Sequence, residues 1–180
     1  MKRIAFLLII ASLVFGGRLG IGISGGGQYV ENYETLTPER LETLFYGAKF
    51  SIKAEALPNV FLEPSIGYIN NPSISQSAAG IGLAMTIKPR LGNFPIVPSF
   101  GFEGSLLLYN ESNISDAIRA GQFEEFIKTS SPELMGVGFA GLSLFLGKSV
   151  SIDCAYSYHR FSPQYGVEMI WAGVSYYINW

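Results

Sequence analysis

The sequence predicts an all-β fold, an eight-stranded antiparallel up-and-down transmembrane β-barrel. Three observations carry that expectation. Apolar residues alternate with small or polar ones in stretches of about ten residues, the period of a half-buried strand. The connections between these stretches alternate long and short. Charged residues make up only 14% of the 180 residues, against ~25% in an ordinary soluble chain, and they fall on the strand face that carries the small residues.

The length admits one domain. Lys and Arg total 12 against 14 Asp and Glu, a net charge of −2, which lacks the basic footprint of a nucleic-acid partner. Cys154 and His159 are each the single residue of their kind. An internal disulfide, a CxxC redox pair and a Cys/His metal cluster are therefore excluded, and no cofactor is expected.

Residues 1–16 read as a signal peptide. Lys2 and Arg3 precede the apolar run Ile4–Phe15, and Gly16 and Gly17 supply small residues for cleavage. The run falls short of the ~20 residues that a helical membrane span needs. Residues 17–180 are the expected barrel.

The eight strands are expected at Arg18–Tyr29, Phe45–Leu57, Val60–Asn70, Ala79–Lys88, Ile96–Tyr109, Leu134–Leu146, Ser149–Tyr158 and Val167–Trp180. Long connections at Val30–Leu44, Asn71–Ala78, Asn110–Glu133 and His159–Gly166 take turns with short ones at Pro58-Asn59, Pro89–Pro95 and Gly147-Lys148. In an up-and-down barrel every second connection lies at the same end. This rhythm is the asymmetry of an outer-membrane barrel, with tight periplasmic turns and extended outer loops. The first long loop has Thr37-Pro38 placed to start a short helix, and the third has Ile118, Phe123, Phe126 and Ile127 near one face of another.

The faces sort by parity. Ile170, Ala172, Val174, Tyr176, Ile178 and Trp180 share one face of the last strand, and Ile81, Leu83, Met85 and Ile87 one face of the fourth. The opposite faces collect Lys49, Lys53, Lys88, Glu55, Glu63, Glu103 and Asp153. A charge facing lipid costs about 2–4 kcal/mol at the bilayer midplane, so these seven belong inside as ion pairs. Eight strands enclose just enough room for side chains, which predicts a closed polar lumen. The sixth strand resists sorting, and a bulge is expected near Ala140. A soluble barrel would place its apolar face inward on every strand, the reverse of this pattern.

The stretch from Ser151 through Tyr156-Ser157-Tyr158-His159-Arg160-Phe161-Ser162-Pro163-Gln164-Tyr165-Gly166-Val167-Glu168 resembles the acyloxyacyl hydrolase or lipid A 3-O-deacylase family of small outer-membrane barrels. Gly136-Val137-Gly138-Phe139 and Leu144–Lys148 extend the resemblance over roughly the last fifty residues. It implies an esterase acting on lipid A acyl chains, with Ser162 as nucleophile, His159 as base and Glu168 as the acid. Arg160 stands where the family has its histidine and Pro163 where it has asparagine. His159 is one residue early, which on a strand turns it to the opposite face.

The expected function is therefore that of an integral outer-membrane barrel with a structural or surface-interaction role. The alternatives are the lipid A deacylase and, third, a small-solute channel of porin-like kind. Expected partners are outer-membrane lipid and lipopolysaccharide, with the barrel-assembly machinery engaging the C-terminal strand.

Overall fold

The computed structural model describes residues 17–28, 45–71, 76–89, 94–110, 131–162 and 165–178. The expected signal peptide and the two expected loop helices lie outside the described residues. Eight strands form one closed antiparallel barrel in which each pairs with its sequence neighbours and the last pairs with the first. They are β1 (Leu19–Gln28), β2 (Tyr46–Leu57), β3 (Val60–Asn71), β4 (Gln76–Ile87), β5 (Ile96–Asn110), β6 (Ser131–Leu146), β7 (Val150–Ser162) and β8 (Tyr165–Ile178). The tight turns after β2 and β6 lie at one end, here the turn end. Asn59 (φ 66°) and Gly147 (φ 74°) take the left-handed conformation there, which asparagine and glycine tolerate best.

The register sets the barrel's size. From Glu55 the pairings run to Phe61, Thr86, Gly101, Phe139, Ser157, Met169 and Gln28. The path thus rejoins β1 ten residues beyond Arg18, whose carbonyl accepts the Glu55 N–H. With a ~3.3 Å rise and ~4.8 Å strand spacing, that stagger over eight strands gives a tilt of about 40° and a backbone radius of about 8 Å. Inward side chains fill such a cross-section.

Alternation along the strands decides the faces. Ile21, Ile23, Phe50, Ile66, Ile81, Leu83, Phe100, Phe102, Leu142, Ile152, Val174 and Tyr176 are exposed on the outer wall, Ile23 to 66%. Lys53, Lys88, Glu103, Ser143, Ser151 and Ser175 are buried within. Along β8 the outward apolar residues run from Ile178 to Ile170, with exposed Glu168 beyond them. The rise and tilt make the distance from Ile178 to Glu168 about 25 Å, the height of a barrel's apolar band.

Two expectations need correction. β6 has no bulge at Ala140: its register is continuous against both neighbours, and the shifts fall at Glu55/Leu57 and Arg160/Ser162. Its mixed pattern arises because inward Met135, Val137 and Phe139 face an apolar part of the lumen, while outward Gly136, Gly138 and Ala140 are small. The expected long connection His159–Gly166 is also mostly strand, since β7 continues to Ser162 and β8 begins at Tyr165. Likewise β3 reaches Asn71 and β4 starts at Gln76.

Candidate functional site

The interior is layered. At the turn end Glu55 ties the start of the barrel together. Its carboxylate accepts Arg18 Nε–H at 3.1 Å, the Arg18 backbone N–H at 3.2 Å and the Asn59 backbone N–H at 2.8 Å. The Arg18 guanidinium lies 5.5 Å from the Phe61 ring centroid. Phe61 and Tyr177, both fully buried, meet edge to face with centroids 6.1 Å apart, and Phe145 lies 5.8 Å from Tyr177. This aromatic layer floors the lumen. Glu55 thus pairs with an arginine that parity along β2 alone does not reveal.

Above the floor Asp153 is a hub. One carboxylate oxygen takes Lys53 Nζ at 3.0 Å and the Ser175 hydroxyl; the other takes Lys88 Nζ at 3.2 Å and the hydroxyls of Ser143 and Ser151. Glu63 lies 3.8 Å from Lys53 Nζ. Higher up, Lys49 donates to Glu103 at 2.9 Å, and Glu103 also accepts from Ser105 at 2.7 Å. All seven charges expected in the lumen face it, and three lysines there meet Glu63, Glu103 and Asp153.

Next to this pair lies a cluster that residue-by-residue reading did not anticipate. Trp171 Nε1–H donates to Ser157 Oγ at 3.0 Å and to His159 Nε2 at 3.2 Å, and Ser157 Oγ lies 2.8 Å from His159 Nε2. Indole N–H is a donor only, so Trp171 gives its proton to this Ser157–His159 pair. Gly26 and Gly47 make the seat for the indole: a Cβ on Gly26 would stand 2.5 Å from Trp171 Cδ2, and one on Gly47 3.0 Å from its Cη2. The spacing Ser157-x-His159 was the available signal, since residues two apart on a strand share a face.

The deacylase constellation is not assembled. His159 is 4% exposed and points into the lumen, whereas Glu168 and Arg160 are exposed on the outer wall. Strand parity separates the base from the acid by the thickness of the sheet. Ser162 is in β7 with its backbone opposite Tyr165; its side chain lies outside the described residues. Among the described residues the serine that His159 meets is Ser157, inside the barrel.

A cavity of about 100 Å³ is lined by Lys49, Lys53, Glu63, Thr86, Asp153 and His159 among others. A second, of about 40 Å³, shares Lys49, Glu103, His159 and Trp171 with it and reaches Ile69, Leu107 and Met135. Beyond lies an apolar layer of Phe45, Ile69, Ala78, Leu107, Met135, Val137, Val167 and Met169. The lumen is thus polar and ion-paired from the turn end through its middle and apolar beyond.

These features define a class, the small closed eight-stranded barrel turned inside out, with ions in its centre and large apolar side chains on its wall. No family model and no curated protein matches the chain, so the resemblance to the deacylase family has no support from a family model. Solved structures do match. Neisserial surface protein A is 12% identical over 92% of this chain and 97% of that one, with a TM-score of 0.58. The N-terminal β-barrel domain of Pseudomonas aeruginosa OprF is 12% identical over 90% of this chain and 99% of that one, at 0.52. The Yersinia pestis outer membrane protein Ail, in a phospholipid bilayer nanodisc, is 14% identical over 90% and 99%, at 0.53. At these identities the likeness is one of fold.

Proposed function

We propose that the protein is an integral outer-membrane β-barrel that acts through its surface and its presence in the bilayer, without turnover. One observation carries the reading: the wall exposes Ile, Leu, Val, Phe and Tyr side chains all round while the lysines and carboxylates pair inside. In water such a surface would aggregate, since exposed apolar patches on soluble monomers rarely exceed a few hundred Å². In hydrocarbon the closed barrel satisfies every ladder hydrogen bond and leaves no edge. The wall's partners are outer-membrane lipid and lipopolysaccharide. Residues 1–16 direct export, residues 17–180 form the barrel, and the closing strand β8 is the element that the assembly machinery reads. The fold of the outer-membrane proteins it matches supports this location.

The test is a lysine on the outer face. Val174 is outward and 49% exposed. Val174→Lys is expected to destabilise the vesicle-embedded barrel by about 2–4 kcal/mol, the cost of a midplane cation. The same change in a detergent-free soluble protein would be near neutral at so exposed a position. Fractionation of the full chain with the outer membrane, and a folded band of altered mobility before boiling, complete the check. A soluble, unshifted protein indifferent to Val174→Lys would refute the reading.

A further inference from the structure

The charged middle and the apolar layer above it divide the lumen into unlike compartments. Three side-chain atoms on residues lining the larger cavity have no hydrogen-bond partner among the described residues: Glu63 Oε1, Thr86 Oγ1 and His159 Nδ1. Buried polar groups left so are ordinarily satisfied by internal water, and a cavity of about 100 Å³ is roomy enough to hold several waters. The compartment's formal charges balance, so water, and not a counter-ion, is the guest it calls for. Toward the loop end the chemistry changes. Phe45, Ile69, Leu107, Met135, Val167 and Met169 are at most 8% exposed and converge from β3, β5, β6, β8 and the residue preceding β2. None carries a polar side-chain group that could hand a water or an ion onward. An apolar constriction of this kind closes a pore by excluding water.

We propose that the middle of the barrel is a hydrated chamber and that the apolar layer around Leu107 and Met169 is the septum that closes it toward the loop end, with the Lys49–Glu103 pair standing inside the chamber and not serving as its lid. The inference rests on the membrane-barrel reading above. It takes its force from position: the lysine–carboxylate pair borders both cavities, so it lies between two spaces of the same compartment. At the turn end the Phe61, Tyr177 and Phe145 rings supply the opposite wall.

A buried thiol reads this directly. Ser24 lines the larger cavity. In a Cys154→Ser background, Ser24→Cys puts the sole thiol in the chamber of the full-length protein, refolded in nanodiscs. Silver ion, a probe of nearly water size, is added, and the thiol left unblocked is counted with maleimide after denaturation. The parent barrel is expected to protect the thiol, and Leu107→Ser with Met169→Ser to speed blocking by about tenfold or more, as removal of a dewetted constriction should. Lys49→Met with Glu103→Gln is expected to leave the rate unchanged. A single Ile69→Thr serves if the double variant does not fold, and mobility before and after boiling reports folding for each. Rapid blocking in the parent, acceleration by the charge-pair variant, or no acceleration by a folded septum variant would each overturn the proposal. Loss of the folded band in the parent would instead count against the membrane-barrel reading.

Discussion

Replacing Asp153 with asparagine keeps the shape of the hub and removes its charge. Lys53 and Lys88 then remain in the lumen, 9% and 5% exposed, with Glu63 at 3.8 Å from Lys53 as the counter-charge left among the described residues. Each lysine contact, at 3.0 and 3.2 Å, represents on the order of 5 kcal/mol of gross attraction at an effective dielectric of about 20. The desolvation of both ammonium groups is incurred whether or not the carboxylate is there. Removing one partner of a buried pair accordingly costs about 3–5 kcal/mol, and that is the loss expected for Asp153→Asn. Adding Lys88→Met removes the stranded charge, so the double variant should recover about 2 kcal/mol, a coupling within the usual range for contacting residues. Urea titration of the vesicle-embedded barrel, followed by the folded band on unboiled gels, measures both. A loss below about 1 kcal/mol for the single variant, or strict additivity in the double, would refute the view that Asp153 neutralises both lysines.

Three further outcomes are expected. Gly26→Ala pushes a methyl into the Trp171 ring and should cost about 1–3 kcal/mol as overpacking; in a Trp180→Phe background it should also shift the fluorescence of Trp171 as the bonds to Ser157 and His159 loosen. Glu55→Gln leaves Arg18 without its carboxylate and should cost about 1.5–3 kcal/mol, the range for hydrogen bonds to charged groups, read by the same urea titration. Lipid A from cells making the intact chain should have the same mass as lipid A from cells making Ser162→Ala, because His159 and Glu168 lie on opposite faces of the wall; loss of an acyl chain with the intact protein alone would reverse that conclusion.

The strand pattern was legible because one face of each strand meets hydrocarbon and the other meets a narrow polar interior, a contrast that parity exposes directly. Lys49, Lys53 and Asp153 could be placed inside from the cost of a lipid-facing charge alone. The pattern failed where that contrast fades. At Met135, Val137 and Phe139 the interior is itself apolar, so both faces of β6 read alike and a bulge was expected that the ladder does not contain. The Lys53–Asp153 partnership joins non-adjacent strands and depends on the ten-residue stagger around the wall, a quantity that no single strand encodes, whereas Arg18–Glu55 follows from the register of β1 against β2. The histidine's contact with Ser157 was within reach of parity, since residues two apart on a strand share a face.

The ladder between β1 and β8, from Leu19 opposite Ile178 to Gln28 opposite Met169, has a bearing on how the chain can be made. Its two strands stand at opposite extremes of the sequence, so the contact that abolishes both sheet edges is the one with the greatest chain separation and the slowest to find. Until it forms, each partial sheet presents two unpaired margins and an apolar flank, the condition under which strands recruit foreign chains. A chain shortened by its last ten residues would lose that ladder almost entirely. It would remain an open, adhesive ribbon, however well its first seven strands were paired.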